Sequence, residues 1–358
     1  MQKFYPVTGK VASFASHCDT GSGPPDWANV PTEQLLLNLD RFSEEAGKEP
    51  AAVLMILPGY TNPPFAFPVA QCQALKDRGV VPHLYLWPHS SIDWIDPRYR
   101  LEAILRGEMD DVMLRSVEES LAYNGPLAIA PDWEVPNLGG ALIPRDGWTW
   151  AADAELIQLA AEQQRVPLAG WVETAEGPQP VGPWTYVQAM RHIMDIWNSV
   201  RPGITWHFHT CGDWYSLPWT HPKWWYAGGF DWVGGSAANF SRTNPITFRD
   251  FASKVAREIS EIPSTEGLPF FVEVGSPEVI GDEGFKEQYY HEVFDVLANN
   301  EIPRLMVNGL ILEQWNDRNE RDEYGNLTGS HIASSMRGLA AARRVFSDNA
   351  VSAHVRQQ

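Results

Sequence analysis

Apolar residues along this chain gather in short, nearly continuous runs separated by longer stretches with helical spacing. The runs are Val11–Ser16, Ala52–Leu57, Val81–Trp87, Leu127–Ala130, Ile204–His209, Phe230–Val233, Pro269–Val274 and Arg304–Ile311. They lack strict alternation of apolar and polar positions, as suits strands buried on both faces. The helical stretches are Thr32–Ala46, Val69–Asp77, Val112–Tyr123, Tyr186–Ser199, Phe248–Ile259 and Gly284–Asn299. Alternation of strand and helix implies parallel pairing with helical crossovers. Eight such runs favour an α/β fold of the (β/α)8 TIM-barrel kind over an open doubly wound sheet. No GxGxxG turn follows the first run, which weakens the dinucleotide-binding form of the open sheet.

One segment, Asn137–Pro183, exceeds what a minimal barrel needs. It holds a helical pattern at Asp153–Gln164 and a strand-like run at Val166–Val172. We place it as an insertion after the fourth strand; the alternative is that Val166–Val172 supplies the fifth strand and shifts every later one. No linker or break in composition divides the chain, so a single domain over residues 1–358 is expected.

Composition narrows the partners. A chain of 358 residues, 44% hydrophobic, can bury a large core. Aromatic residues make up 12% of it, and 16 are Trp. About half of these are expected as core filler, and the rest suit a cleft where indole faces cover the apolar faces of sugar rings. The net charge of -18 argues against a nucleic-acid partner, which needs clustered Lys and Arg. Cys18, Cys72 and Cys211 are an odd set without CxxC spacing, so neither a disulfide framework nor a zinc site is indicated. No apolar run approaches about 18 residues, and no apolar h-region opens the chain. No membrane partner is expected, and the location expected is cytoplasmic, or secreted if a leader has been removed. The oligomeric state is left open.

In a barrel the chemistry sits at the C-terminal ends of the strands. Two carboxylates end apolar runs there: Glu134 after Leu127–Ala130, and Glu273 within Pro269–Val274. Either alone reads equally as a salt-bridge or helix-cap acid. Together, on the fourth and seventh runs, they fit glycoside hydrolysis. One carboxyl protonates the leaving oxygen, and the other attacks the anomeric carbon or activates water. Their separation is about 5–5.5 Å for retention and about 6.5–9.5 Å for inversion. Apolar surroundings raise the acid's pKa, while donors or a cation keep the other group ionised.

Other residues fall at the same rim. Asp132 shares a face with Glu134, and Glu313 shares one with Trp315 on the last strand. His89 ends the third run, and His17 and Asp19 the first. His207, His209 and Cys211 alternate onto one side of the fifth run. They can line a cleft or pack beneath Trp; a transition-metal pair is the alternative, and no metal or cofactor is assigned. Trp87, Trp133, Trp214 and Trp315 are the candidate sugar platforms, with Trp171, Trp184 and Trp206 behind them. No GxSxG turn supports a Ser–His–Asp nucleophile.

The stretches Ala130–Asn137 and Phe271–Gly275 resemble the acid/base and nucleophile motifs of the family 26 glycoside hydrolases, the β-mannanase family. Ile104–Asp110 resembles that family's I-x-x-G-x-x-D helix start, Tyr186–Ile193 its Y-V-x-A-W-R-H-I helix, and Phe230–Gly234 its V-D-W-V-G strand. Trp315 resembles its sugar-platform Trp. The resemblance runs in order from about Val81 to Trp315 and implies a retaining enzyme, with Glu134 as acid/base and Glu273 as nucleophile. Two positions depart: Trp133 stands where the family has His, and Ala238 where a Tyr touches the nucleophile. Asn239 or His209 is expected to take over that Tyr's work. The implied substrate is a carbohydrate or small sugar-like molecule, of β-mannoside or β-glucoside type. A transferase or cyclase acting on a small biosynthetic intermediate, and a non-catalytic glycan-binding barrel, are the alternatives.

Overall fold

The computed structural model describes residues 3–6, 11–16, 30–59, 61–87, 99–132, 135, 171–174, 177–211, 221–237, 245–276, 279, 282, 284–299, 307–313, 336–347, 351–352 and 355–357. The strands are β1 (Phe4–Pro6), β2 (Val11–Ser16), β3 (Ala52–Pro58), β4 (Val81–Trp87), β5 (Ala128–Ala130), β6 (Trp171–Thr174), β7 (Gly177–Pro180), β8 (Thr205–Thr210), β9 (Trp232–Ser236), β10 (Phe270–Val274), β11 (Val307–Glu313), β12 (Val351–Ser352) and β13 (Val355–Gln357). The eight apolar runs become β2, β3, β4, β5, β8, β9, β10 and β11. The helices are α1 (Thr32–Ala46), α2 (Val69–Asp77), α3 (Leu101–Leu105), α4 (Asp110–Ser120), α5 (Val181–Val200), α6 (Phe248–Ser260), α7 (Phe285–Asn299) and α8 (Met336–Ser347). The ranges of α1 and α2 coincide with the sequence pattern. The short α3 and the late α8 were not expected, and the helical pattern at Asp153–Gln164 lies outside the described residues.

The main sheet runs β11-β10-β9-β8-β5-β4-β3-β2, every pair parallel, with β12 added beside β2. β11 also pairs with β2, from Gly309 opposite Ala12 to Glu313 opposite Ser16, so the ladder returns to its first strand. β6 and β7 form a separate antiparallel pair. Among the described residues, therefore, Thr205–Thr210 and not the Val166–Val172 run follows β5 in the parallel order.

Two buried clusters follow from strands covered on both faces. One, including Leu54, Ile56, Tyr85, Trp87, Ala128, Ala130, Trp232 and Phe271, belongs to alternate positions on one face of the sheet. The other lies between the sheet's opposite face and the helices, where Leu84, Ile129, Phe208, Val233 and Val272 meet Leu39, Met113, Trp197, Val255 and Val293. Helix α6 shows how the outer layer is aimed. Thr247 caps it by accepting from the Asp250 amide at 3.2 Å, and Phe251, Ala252, Val255, Ala256 and Ile259 form its buried stripe.

Two motifs that resembled the mannanase family have structural work here. Asp110, at the start of α4, meets His192 of α5 at 2.8 Å, which joins Ile104–Asp110 to Tyr186–Ile193. Asp231 ties down the beginning of β9: its Oδ2 accepts from the Trp206 amide at 2.9 Å, and its Oδ1 from Lys3 Nζ at 2.6 Å. No helix among the described residues is long and apolar enough to cross a membrane.

Candidate active site

The site is built where β8, β9 and β10 end. Parallel register sets His209 beside Gly234, and Ser236 beside Glu273. Because side chains alternate, His207 and His209 share one face with Trp232, Gly234 and Ser236, and with Phe271 and Glu273. Glu273 is 3% exposed, and His209 and Ser236 are fully buried. Ser236 Oγ donates to Glu273 Oε2 at 2.6 Å, a length typical of a hydroxyl bonded to a carboxylate. His209 Nε2 lies 3.2 Å from the same oxygen and 3.1 Å from Ser236 Oγ.

This triangle has chemical consequences. A Ser–His–acid relay needs the hydroxyl and the carboxylate on opposite imidazole nitrogens. Here both meet Nε2, so the trio is a carboxylate with two supports and not a serine nucleophile. The ends of β9 and β10 are locked together from behind by Tyr289 of α7. Its hydroxyl donates to the Ala237 carbonyl at 2.8 Å and accepts from the Gly275 amide at 3.3 Å. The Ala237 amide also donates to the Glu273 carbonyl at 2.8 Å.

The paired glycines of β9 are spaces already filled. A Cβ on Gly234 would fall 2.7 Å from the Phe271 carbonyl oxygen, 2.8 Å from His207 Nε2 and 3.2 Å from His209 Nδ1. On the opposite face, a Cβ on Gly235 would meet Val255 of α6 and, at 2.8 Å, the Thr210 carbonyl oxygen. Below the triangle a second imidazole pair fills the interior. His207 Nδ1 lies 3.3 Å from His83 Nε2, and the His207 ring packs against Trp232 and Phe271. Burial first, and the neighbouring His209 next, push His83 down from 6.5 to about 3. Burial, then His83 and His209, hold His207 well below its ordinary value. Both are therefore neutral at pH 7. Among the described residues no three His, Cys, Asp or Glu side chains are placed to hold a metal ion.

Asp132, just past β5, is 3% exposed and hydrogen-bonded to Tyr186 of α5. Burial, with Asp132 adding to it, raises the Tyr186 phenol well above its ordinary value, so it stays a proton donor to that carboxylate. Three residues on, the Val135 amide donates to the His209 carbonyl at 2.9 Å, and Thr210 Oγ1 donates to the Val135 carbonyl at 2.5 Å. His209 thus binds the chain next to residue 134 through its backbone and Glu273 through its imidazole. Trp87 ends β4 in the interior cluster, 7% exposed and edge-on to Tyr85. Trp206, named above as a weaker platform, is instead core: it faces the helices, and its indole donates to Asn198 at 3.0 Å. Glu313 closes β11 opposite Ser16. Glu134, Trp133, His89, Trp214, Asn239 and Trp315 lie outside the described residues, as do His17, Asp19 and Ala238.

His209 was foreseen as a support for the missing Tyr, and it does touch Glu273. Ser236, Tyr289, Tyr186 and His83 were not singled out from sequence. Ser236 carried a usable sign, since it lies two residues beyond Gly234 on the same face, and Tyr186 opens a stretch that resembles a family helix.

The parallel α/β sheet, of TIM-barrel type, carries a buried carboxylate at the C-terminal end of β10. Several solved structures share this fold. A GH26 β-mannanase from Bacteroides ovatus is 14% identical with a TM-score of 0.55, over 96% of this chain and 90% of that one. A modular endo-β-1,4-mannanase from Cellulomonas fimi is 12% identical with a TM-score of 0.54, over 96% and 72%. GH26C from a Muricauda species is 13% identical with a TM-score of 0.53, over 96% and 87%. At these identities the likeness is one of fold. No family model matches the sequence, and neither does any curated protein.

Proposed function

We propose that the chain is a retaining glycoside hydrolase of the family 26 kind, built as a single (β/α)8 domain over residues 1–358 with an insertion at about 137–183. The observation that carries this reading is Glu273, a carboxylate held at the end of β10 by two polar partners. Its oxygen attacks the anomeric carbon while the bond to the leaving oxygen breaks, and Glu134 gives that oxygen a proton. Glu134 then takes a proton from water, whose oxygen displaces Glu273 and restores both groups. The two inversions give net retention. Trp87, Trp133, Trp214 and Trp315 supply sugar-stacking faces. His89, Asp132, Asn239 and Glu313 bind hydroxyls, and His207 and His209 support the floor of the site.

The test is a panel of 4-nitrophenyl β-mannoside, 4-nitrophenyl β-glucoside and manno-oligosaccharides, offered to the parent, Glu134→Gln and Glu273→Gln. The expected result is turnover that falls by at least about 100-fold in either variant, with the β-anomer formed first by proton NMR. Turnover of no glycoside, or turnover indifferent to both substitutions, overturns the reading.

A further inference from the structure

A nucleophilic carboxylate must be ionised and fixed in angle, and β10 alone supplies neither property to Glu273. We propose that Ser236, with His209, is the positioning residue that holds Glu273 as an oriented anion. The inference rests on the reading of Glu273 as nucleophile, yet its core can be tested without any substrate.

The geometry fixes where the protons lie. Ser236 has one hydroxyl hydrogen, and the 2.6 Å contact commits it to Glu273 Oε2. His209 Nε2, near both Ser236 Oγ and Glu273 Oε2, then has no proton to receive from the hydroxyl and must itself carry one. Two donors on one oxygen favour the charged form of a carboxylate. Both donors are fully buried. Gly234 brings the Phe271 carbonyl and both imidazoles to within contact distance of its absent Cβ, and Tyr289 fixes the strand ends at Ala237 and Gly275. Among the described residues, the groups bearing on Glu273 come from three neighbouring elements: His209 from β8, Ser236 from β9, and Tyr289 from α7 through the strand ends. His207 and His83 lie deeper and neutral.

The experiment follows the carboxylate stretch of Glu273 by infrared spectroscopy of protein labelled with 13C at Glu side chains, subtracting Glu273→Gln, in Ser236→Ala and Ser236→Cys. The expected result is a titration midpoint raised by about one to two pH units in Ser236→Ala, and by less in Ser236→Cys, whose thiol is a weaker donor. With 4-nitrophenyl β-mannoside or β-glucoside, the acid limb of kcat/KM moves up by the same amount. The kcat falls about 10- to 100-fold while KM changes far less. An unmoved midpoint in a folded Ser236→Ala or Ser236→Cys overturns the proposal, whatever the activity. A raised midpoint without turnover of either glycoside upholds the positioning role and removes the glycosidase reading instead.

Discussion

Gly234→Ala is the most direct test of how tightly the interior is built around Glu273. The added methyl would lie 2.7 Å from the Phe271 carbonyl oxygen and 2.8 Å from His207 Nε2, where ordinary contact begins at 3.4 Å. Neither neighbour can yield freely. Phe271 is paired on both sides, to Gly234 and to Gly309, and His207 is held against His83, Trp232 and Phe271. Overpacking of this kind costs about 1–3 kcal/mol. Two backbone-adjacent clashes on one methyl point to the upper part of that range. Urea unfolding by linear extrapolation reads the loss directly. Imidazole nitrogen NMR reads the second consequence, displacement of His209 from Ser236 and Glu273. Gly235→Ala is the internal comparison. Its methyl points to Val255 and the Thr210 carbonyl, so it should lose similar stability while leaving the His209 resonances in place. A Gly234→Ala protein as stable as the parent, with unshifted His209 signals, would refute the close packing argued here.

Further outcomes follow from buried polar groups. His83 and His207 are neutral in the fold but take up protons near pH 6.5 once unfolded, so stability should fall as pH drops below about 6.5, His83 acting down to about 3 and His207 in the same direction. Each contributes a slope of up to about 1.4 kcal/mol per pH unit, and urea midpoints in His83→Gln should show a shallower decline than the parent. Asp231→Ala should cost about 1–3 kcal/mol by stranding the Trp206 amide, whereas Asp231→Asn keeps an acceptor and loses only the Lys3 pair. Thermal and urea unfolding of the two variants would tell them apart. Tyr186→Phe removes the donor to Asp132 and should destabilise by about 1–3 kcal/mol in the same assay.

The sequence by itself determined the elements. Runs such as Val81–Trp87 and Phe270–Val274 are apolar on both faces and so demand a covered parallel sheet. The stripes of α1 and α6 fix which side of each helix is buried. Position at a strand end was enough to single out Glu273, and period-two alternation was enough to group His207 with His209. What surrounds those residues was decided only by register between strands far apart in the chain. Ser236 is a plain serine in a glycine-rich stretch until β9 aligns with β10 and sets it beside Glu273. His83 is one polar residue in an apolar run until β5 and β8 bring His207 to it across 124 positions. Asp110 and Asp231 belong to stretches that resemble family motifs, and only the fold shows their use as an interhelical tie and a backbone clamp. Alternation along one strand is local and legible in sequence. Which strand ends meet is a property of the whole sheet, so the contact of Ser236 with Glu273 was legible only there, whereas His209 was already a candidate in the sequence.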